Sequence, residues 1–323
     1  MANYIVTGAA GFIGSNVSRQ LLEDGHFVLG IDELNAAYDP KIKEWRKKKL
    51  EQYSNFSFVK QDISDLETMK EICKGRKYDA VFNLAARAGV RASLEDPHSF
   101  VNTNMTGTLN MLEICKQYDI PKFILASTSS VYGKDAPSPT PENAETSFPL
   151  QPYAASKKGA EAMCHAYHFL FGIDVTIFRY FTVYGPAGRP DMVMFRFGKW
   201  ISEGEEVVIF GDGEQTRGFT YVDDIARGTI KGLKKTGFQV INLGGHESIS
   251  INELVEIMEG MIGKKAQTQY YPAQKADMRS NLADVSKARD ILDWKPTVSL
   301  QEGIQNLVDW YKEEREWVKD LAL

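Results

Sequence analysis

The sequence predicts an α/β protein built on a Rossmann-type, doubly wound parallel sheet, with a smaller α/β substrate-binding lobe towards the C-terminus. Three observations support this fold class. Short apolar runs alternate with helical segments through the first half of the chain, a glycine-rich turn follows the first run, and an acidic residue ends the second. We place the first domain at residues 1–180, to which later segments are expected to return, and the smaller lobe at residues 181–323.

The predicted strands and helices follow one another in the order that a parallel sheet requires. Apolar runs bounded by turn residues predict strands at Asn3–Thr7, Phe27–Ile31, Phe56–Val59, Ala80–Leu84 and Phe123–Ser127. Helical patterns lie between and after them, including the basic segment Lys41–Lys49, then Pro97–Gln117 and Tyr153–Phe171. Ligands of such sheets bind beyond the carboxyl ends of the strands, so the residues after each run are the candidate site.

The turn Gly8-Ala9-Ala10-Gly11-Phe12-Ile13-Gly14 joins the first strand to the first helix. Glycines let the backbone approach a pyrophosphate, and the start of a helix supplies N–H donors. The glycines alone are equally consistent with a tight turn that binds nothing. Asp32 argues against that alternative, because it ends the second strand where a dinucleotide fold binds the adenosine ribose hydroxyls. Its charge would repel a 2′-phosphate, so the sequence predicts NAD in preference to NADP.

Tyr153 and Lys157 lie four residues apart in a predicted helix and therefore share one helix face. A free tyrosine has a pKa near 10, and a cation within about 4 to 6 Å typically lowers an acid's pKa by roughly 1 to 3 units. We therefore expect Lys157 to make Tyr153 acidic enough to act as a base. The pair alone is a weak signal, because the same spacing occurs by chance on solvated helices.

Composition excludes several classes of function. A net charge of -5 and a pI of about 5.7 do not favour nucleic-acid or membrane-surface binding, and the basic segment Lys41–Lys49 is interpreted as the solvated face of an amphipathic helix. Cys73, Cys115 and Cys164 lack metal or redox spacing and are expected to be buried free thiols. The five histidines show no ligand pattern, so no metal is expected. Without a signal-sequence pattern or a spanning apolar run, we expect a cytoplasmic protein.

Further motifs resemble the extended short-chain dehydrogenase/reductase superfamily, in its nucleotide-sugar epimerase/dehydratase branch. The motifs are Thr7-Gly8-x-x-Gly11-x-x-Gly14, Asp32, Asp62-Ile63, Asn83-Leu84-Ala85-Ala86, Ser127-Thr128-Ser129-Ser130-Val131-Tyr132-Gly133, Tyr153-x-x-x-Lys157 and Arg179-Tyr180-Phe181. The similarity continues through Phe219–Asp224 to Leu282–Ala288, nearly end to end. It implies a tightly bound NAD and hydride transfer at a sugar carbon.

The resemblance also implies a role for each matching residue. Tyr153 would take the proton of a sugar hydroxyl, Lys157 would hold the cofactor ribose, and Thr128 would hydrogen-bond the reacting hydroxyl. Outside this context Thr128 would be interpreted as a capping or strand-end hydroxyl. Asn104 resembles the asparagine that supports the active-site water and helix geometry. The implied cofactor contacts are Gly8, Gly11, Phe12, Ile13, Gly14, Asp32, Asn35, Asp62, Ile63, Leu84, Ala85, Ala86, Asn104, Tyr153, Lys157 and Tyr180, the last lining the nicotinamide pocket.

The residues that follow Thr128 narrow the reaction. In this family a 4,6-dehydratase carries an Asp-Glu pair at these positions, and a nucleotide-sugar decarboxylase usually carries a glutamate at the second. This chain has Ser129 and Ser130 instead. Without a further acid or base, oxidation at C4 can only be reversed, and reversal from the opposite face of a rotated 4-keto sugar is 4-epimerisation.

Residues 181–192 and 88–93 resemble UDP-glucuronic acid 4-epimerases. On that resemblance Arg91, Ser129 and Thr182 would surround the C5 carboxylate, although Arg91 is equally suited to a surface or interdomain ion pair. Phe210 would pack on the uracil, or serve as a core residue. The full set of implied substrate contacts is Arg91, Ser129, Ser130, Thr182, Arg189, Phe210, Arg217 and Asp277, with Arg217, Arg189 and Asp277 on the nucleotide and its pyrophosphate. The chain departs from the family pattern at Gly218, Glu33 and Gln274.

The expected activity is therefore a UDP-glucuronate 4-epimerase, which interconverts UDP-glucuronate and UDP-galacturonate by transient C4 oxidation, rotation and hydride return. Three alternatives stay open. They are a 4-epimerase of UDP-glucose/UDP-galactose or their N-acetyl forms, a UDP-glucuronate decarboxylase, and a non-catalytic NAD-binding regulator. Segments 97–117 and 153–171 resemble the helices that pair across a dimer in this family, so a homodimer is expected by analogy.

Overall fold

The structure, a computed structural model, describes residues 1–245, 247–273 and 280–323. The strands are β1 (Asn3–Thr7), β2 (Phe27–Asp32), β3 (Phe56–Lys60), β4 (Ala80–Asn83), β5 (Lys122–Thr128), β6 (Asp174–Tyr180), β7 (Thr182–Tyr184), β8 (Glu206–Phe210), β9 (Thr216–Tyr221), β10 (Phe238–Leu243), β11 (Ser248–Ser250), β12 (Gln267–Tyr271) and β13 (Ser280–Asn281). The five strands predicted in the first half of the chain are all present, with ends shifted by one residue at most.

The helices include both of the long segments that the sequence predicts. They are α1 (Phe12–Glu23), α2 (Lys41–Leu50), α3 (Leu66–Cys73), α4 (Ala92–Glu95), α5 (Pro97–Val101), α6 (Gly107–Gln117), α7 (Pro152–Phe171), α8 (Val193–Glu203), α9 (Val222–Lys231), α10 (Ile251–Ile262), α11 (Ser286–Leu292), α12 (Leu300–Glu313) and α13 (Arg315–Val318). A π-helical turn, Asn102–Thr106, joins α5 to α6, and a 3₁₀ turn, Ser129–Tyr132, follows β5.

Seven strands form one parallel sheet in the order β10-β6-β5-β4-β1-β2-β3. The chain runs outwards from β1 through β2 to β3 and then returns to the other side of β1 with β4. The strand order therefore reverses between β1 and β4, which is where a doubly wound sheet opens a crevice for a ligand. The Rossmann-type fold predicted from the sequence is confirmed.

Apolar cores cover both faces of this sheet. Successive residues of a strand point to opposite faces, so Ile5 and Val6 of β1 enter different cores. The core that contains Val6 packs under α1 and α9, while the one that contains Ile5 packs under α3, α6 and α7. Cys73, Cys115 and Cys164 lie in this second core as buried free thiols, as predicted.

The smaller lobe contains a sheet of β7, β9, β11 and β13 and a separate parallel pair, β8 and β12. Its core joins α8, α10 and α12 through buried side chains, among them Phe197, Leu254 and Leu307. Later segments do return to the first domain, because β10 pairs with β6 and α9 packs on α1. The division at residue 180 itself stays a prediction.

The basic segment is helical, as α2, but its interpretation as a solvated face is wrong at two positions. Lys41, Lys48 and Lys49 are exposed, whereas Lys43 is 5% exposed and Arg46 is 2% exposed. Buried and exposed cations therefore alternate along α2, and the charges of Lys43 and Arg46 lie inside the protein. Among the described residues no helix is long and apolar enough to cross a membrane, and no cluster of potential ligands could hold a metal ion.

Candidate active site

The glycine-rich turn lies at the switch point of the sheet, and its glycines are required by close backbone contacts. Gly8 has a φ of +68°, and a Cβ there would lie 2.7 Å from the nitrogen of Ala85. A Cβ on Gly14 would lie 2.0 Å from the carbonyl oxygen of Gly8. No side chain of the described residues caps α1 at Gly11. The first N–H groups of α1 are therefore available to an anionic ligand.

Residues after β4 and residues after β7 both lie next to the glycine-rich turn. Leu84, Ala85 and Ala86 form the half-buried start of the loop after β4, and Gly8 packs against the first two. Phe12 is buried, with its ring near Gly188, while Ile13 packs on the core under α1. The turn is thus enclosed by residues of both domains.

Asp32 lies where the ribose-binding acid of a dinucleotide fold is expected. It is 8% exposed, and its carboxylate accepts hydrogen bonds from the N–H groups of Ala10, at 3.1 Å, and Leu34, at 2.8 Å. Asn35 lies close by, and the Lys43 ammonium donates to both its backbone and its side-chain oxygen, at 2.7 and 2.9 Å. Burial lowers the pKa of Lys43 to about 8. The structure therefore brings Asp32 and Asn35 together beside the glycine-rich turn.

Asp62 and Ile63 lie on the loop that follows β3, next to the end of β2. The N–H of Gln61 donates to the carbonyl of Asp32 at 3.1 Å, which joins the two strand ends. Asp62 accepts a hydrogen bond from Ser64, and Ile63 is 3% exposed against Gly107 of α6. Both residues thus border the predicted adenosine side of the site.

Thr128 is the last residue of β5 and the N-cap of the 3₁₀ turn. Its hydroxyl accepts a hydrogen bond from the Ser130 N–H at 3.1 Å and donates to the Ser130 hydroxyl at 3.2 Å. The same hydroxyl interacts with the phenol of Tyr153. The capping interpretation of Thr128 is confirmed, and because the same hydroxyl interacts with the tyrosine its predicted role in the active site stays a prediction.

The electrostatics of Tyr153 differ from the prediction. Burial raises its pKa, and the two opposing influences are a hydrogen bond with Thr128 and the positive charge of Arg189. Lys157 is 2% exposed and donates to the Ala126 carbonyl at 2.8 Å, and burial lowers its own pKa to about 8. Lys157 is not among the groups that lower the pKa of Tyr153 here, where Arg189 supplies the positive charge, so the expected effect of Lys157 on the phenol stays a prediction.

Asn104 connects the loop after β4 to the helix that carries Tyr153. It is fully buried in the π-helical turn, where its side chain accepts from the Arg87 N–H at 2.9 Å and donates to the Arg87 carbonyl at 3.0 Å. It also donates to the Ser156 hydroxyl at 2.9 Å, which in turn donates to the Tyr153 carbonyl at 2.8 Å. This chain of contacts fixes the first turn of α7, in agreement with the support for helix geometry expected of Asn104.

Sequence reasoning missed a buried ion pair next to the residues predicted to be catalytic. Glu161 is 4% exposed and accepts hydrogen bonds from Ser127 at 2.6 Å and from two nitrogens of Arg179 at 2.9 and 2.8 Å. Burial alone would raise the pKa of Glu161, but these partners hold it below its ordinary value. The spacing Lys157-x-x-x-Glu161, which sets a carboxylate on the lysine's helix face, was the available signal.

Substrate-side residues come from short strands of the smaller lobe. Thr182 begins β7, beside β9, and is half-buried. The Ser129 hydroxyl accepts a hydrogen bond from the side chain of Asn281 at 3.4 Å, and Asn281 pairs with Arg217 across β13 and β9. Asn281 is a second residue that the sequence did not single out, although it immediately precedes the motif Leu282–Ala288.

Arg91 and Arg189, both predicted to contact the substrate, lie beside different parts of the candidate site. Arg91 is exposed, and its guanidinium lies 5.1 Å from the ring centroid of Phe210, the residue predicted for the uracil. Arg189, predicted for the pyrophosphate, pairs with Asp191 at 2.5 Å and acts on Tyr153 by its charge. Arg91 thus contacts the segment predicted for the nucleotide, and the charge of Arg189 acts on Tyr153, while the substrate contacts of both arginines stay predictions.

Tyr180, Gly218, Asp277 and Gln274 are further positions that the sequence singled out. The Tyr180 hydroxyl pairs with that of Thr229 on α9 at 2.8 Å, inside the core, so a contact of Tyr180 with the nicotinamide stays a prediction. Gly218, which departs from the family pattern, lies in β9, where a Cβ would lie 2.8 Å from the movable Cδ1 of Leu282, and nothing in the structure explains the departure. Asp277 and Gln274 lie outside the described residues.

Comparison with known families identifies the chain's relatives. A model of the GDP-mannose 4,6 dehydratase family matches residues 5–307. The chain belongs to this family. It is 52% identical to a UDP-glucuronate 4-epimerase of Thermodesulfobacterium geofontis over the full length of both proteins. The superfamily predicted from the motifs is thereby confirmed.

Solved structures of nucleotide-sugar 4-epimerases are similar to this chain in sequence and in fold. The UDP-glucuronic acid 4-epimerase of Bacillus cereus, in complex with UDP-glucuronic acid and NAD, is 39% identical over 97% of this chain and 99% of that one, with a TM-score of 0.89. The UDP-glucose 4-epimerase of Thermotoga maritima, with UDP-glucose, is 34% identical over the same shares of the two chains, also with a TM-score of 0.89. Both similarities extend across the glycine-rich turn, the catalytic helix and the smaller lobe.

Proposed function

We propose that the protein is a UDP-glucuronate 4-epimerase that interconverts UDP-glucuronate and UDP-galacturonate with a permanently held NAD. The observation that carries this proposal is the side-chain chemistry around Tyr153. Thr128 faces the phenol, and the positions that would hold the additional acid of a dehydratase or a decarboxylase are Ser129 and Ser130. The relatives of highest similarity described above have the same named activity.

The residues at the switch point fit NAD. The close approach of Gly8 and Gly14 to backbone atoms leaves an uncapped helix start for the pyrophosphate, and Asp32 is placed for the adenosine ribose. Lys157, buried beneath Tyr153 on the same helix, would hold the nicotinamide ribose. NAD, when bound, accepts the hydride from C4 of the sugar and returns it.

Tyr153 would carry the proton in both directions. It takes the proton of the C4 hydroxyl during oxidation and returns it to the same oxygen during reduction. Thr128 and Arg189 favour the phenolate that this first step requires, because both lower the pKa that burial raises. Since serine hydroxyls at positions 129 and 130 are poor acids and bases, the proton has no route to another sugar carbon, and the reaction ends at C4.

The sugar carboxylate makes the 4-keto intermediate a β-keto acid, which loses CO2 when the breaking bond stands perpendicular to the carbonyl plane. We propose that Ser129 and Thr182 hold the carboxylate away from that alignment by hydrogen bonds, and that Arg189 supplies the charge. Asn281 supports this arrangement by donating to the Ser129 hydroxyl at 3.4 Å. Arg91 and Phe210 would then serve the nucleotide in the smaller lobe.

An NMR time course with UDP-glucuronate, without added cofactor, tests the proposed reaction. We expect signals of UDP-galacturonate and no net NADH. The matched control is Tyr153→Phe, which keeps the ring packed against Phe100 and removes only the hydroxyl. It should retain NAD and lose roughly 10² to 10⁴ in kcat. Release of a pentose nucleotide would select a decarboxylase, and NAD binding without turnover would select a regulator.

The proposed restraint on the carboxylate has its own test. Thr182→Val and Ser129→Ala each remove a hydroxyl with little change in volume. We expect both variants to release a pentose nucleotide faster than the unaltered protein, relative to epimer formed. If neither variant loses CO2 above that background, the hydroxyls do not restrain the carboxylate.

We also propose a homodimer that pairs through α5, α6 and α7. The C-terminal end of α7 carries three exposed apolar side chains, Phe169, Leu170 and Phe171, and Val101 at the end of α5 is 46% exposed. Exposed apolar residues on the helices of a predicted interface favour its burial by a second copy. Light scattering during size-exclusion chromatography should give twice the mass of 36.3 kDa, and Leu170→Glu should give the monomer.

A further inference from the structure

Arg46 links the two domains at a point outside the predicted contacts. Its guanidinium donates to the Ala10 carbonyl of the glycine-rich turn at 3.2 Å. It also donates to the Ala187 carbonyl through two nitrogens, at 3.0 and 2.6 Å, and to the Gly188 carbonyl at 3.1 Å. One buried side chain therefore joins the loop expected to hold the pyrophosphate to the loop that follows β7.

The chemistry of these contacts is unusual for a buried cation. Within residues 1–245, 247–273 and 280–323 no carboxylate forms an ion pair with Arg46, and its partners are backbone carbonyls and one phenol. Burial of an uncompensated charge is costly, and packing alone would favour an apolar residue on the inner face of α2. We therefore expect the hydrogen bonds of the guanidinium to have a role that an apolar side chain packed at this position could not fulfil.

Ala187 supplies the second observation. It has a φ of +51°, in the left-handed region that residues with a Cβ seldom adopt. Such a conformation persists where surrounding contacts determine it, and the carbonyl of Ala187 is the one that receives two bonds from Arg46. Arg189 follows two residues later, so the conformation at Ala187 sets where the Arg189 side chain leaves the loop.

Tyr38 provides a second connection between the same groups. Its hydroxyl accepts a hydrogen bond from Arg46 at 2.9 Å. The centroid of its ring lies 5.7 Å from the guanidinium carbon of Arg46 and 5.8 Å from that of Arg189. The ring is therefore near both guanidinium groups, and it provides a second set of contacts from Arg46 to Arg189.

We propose that Arg46 is a positioning residue, which holds the loop Gly185–Asp191 against the glycine-rich turn and so sets the place of Arg189 beside Tyr153. The proposal rests on the proposed function, because it assigns Arg46 a part in the same proton transfer. Arg46 itself would touch neither the sugar nor the reacting atoms.

The first test compares Arg46→Met with Lys48→Ala, a removal of charge at an exposed position of the same helix. We expect Arg46→Met to lower kcat by about 10²-fold, the effect of a displacement of about 1 Å in a catalytic group. The ascending limb of its pH–rate profile should move to higher pH. Among the described residues the groups that lower the pKa of Tyr153 are Thr128 of β5 and Arg189, while Lys157 of its own helix bonds the Ala126 carbonyl, and the proposed displacement moves only Arg189. Lys48→Ala should leave rate and profile unchanged.

The second test separates positioning from general stability. If Arg46 acts through Arg189, Arg46→Met should cost less than about twofold in a background that already carries Arg189→Met, because residues that act as a unit are not additive. An ordinary loss of folding would remain additive. Arg46→Lys serves where Arg46→Met folds poorly, since a compact ammonium lacks the planar fork by which the guanidinium reaches three carbonyls and the Tyr38 hydroxyl at once. Additive losses, or an unmoved pH profile in either variant, would overturn the proposal.

Hydrogen exchange gives a readout that does not require turnover. Amides of residues 185–192 should exchange about tenfold faster in Arg46→Met than in the unaltered protein. In Lys48→Ala their exchange rates should be the same as in the unaltered protein. Equal protection in all three proteins would refute the positioning role even if the protein epimerised UDP-glucuronate. An inactive unaltered protein with the expected exchange pattern would instead refute the proposed function and leave Arg46 as the support of the loop.

Discussion

Replacement of Glu161 tests how much a buried ion pair next to the predicted catalytic residues contributes to the stability of the protein. Glu161→Met keeps the volume of the side chain and leaves the Arg179 guanidinium, which is 4% exposed, without its carboxylate. The remaining partners of Arg179 are the Glu142 carbonyl at 3.1 Å and the ring of Tyr132 at 4.8 Å. Removing one member of a buried pair typically costs about 3–5 kcal/mol.

The opposite replacement should cost less, for a reason visible in the structure. After Arg179→Met, Glu161 still accepts the Ser127 hydrogen bond and still has the ammonium of Lys158 at 3.5 Å. The Lys158 side chain is 37% exposed, so its contribution is screened by solvent. We expect a loss of about 1.5–3 kcal/mol, the range for hydrogen bonds to a charged group. The double variant should be no less stable than Glu161→Met.

Chemical unfolding of the four proteins, followed by fluorescence and circular dichroism, measures these differences through the shift of the transition midpoint. Lys158→Met is the matched control, because it removes a cation from the same carboxylate at an exposed position, and it should change stability by less than about 0.5 kcal/mol. A Glu161→Met variant that lost no more stability than Arg179→Met, or a double variant with the sum of both losses, would refute the reasoning.

Three further predictions concern the site itself. Gly14→Ala should abolish retention of NAD by the purified protein, because the new Cβ would lie 2.0 Å from a carbonyl oxygen of the turn; retained NAD would contradict this. Asn104→Leu should cost roughly 2–5 kcal/mol in thermal or chemical unfolding, since it leaves Ser156 and both backbone groups of Arg87 without their partner. The pKa of Lys157, lowered by burial to about 8, predicts that kcat falls above that pH as the ammonium is lost. Because the unfolded chain keeps this proton up to about 10.5, stability from this group rises with pH between the two values, and a kcat flat to pH 10 would refute the assignment.

Much of the site could be predicted because its signals are local in the chain. Gly8, Gly14 and Asp32 lie at strand ends that a periodic pattern reveals, and Tyr153 and Lys157 share one helix. Each of these residues has its neighbours within a few positions or at the same edge of one sheet. The structure has the predicted strand ends and the predicted helix, while the roles of these residues stay predictions.

The parts that could not be predicted depend on contacts between distant segments. The contacts of Arg91 with Phe210 and of Arg189 with the Ala88 carbonyl depend on how the smaller lobe packs on the loop after β4, which no local pattern encodes. Asn281 arrives on a strand of two residues, too short to show any periodicity. Arg46 was missed for a different reason, because cations in a basic helix are ordinarily solvated, and its burial depends on carbonyls supplied more than a hundred residues away.

The π-helical turn Asn102–Thr106 makes the packing of α5 and α6 depend on the number of residues between them. Each residue of an α-helix advances the side chains by about 100°, so the wider turn rotates all of α6 relative to α5. Phe100 can thereby face Tyr153 while Met111 and Leu112 enter the core below the sheet. Loss of a single residue here would turn α6 by nearly a third of a revolution and separate these two sets of contacts. The protein can accept single substitutions in this segment independently of one another. A one-residue deletion would instead require the whole buried face of α6 to repack.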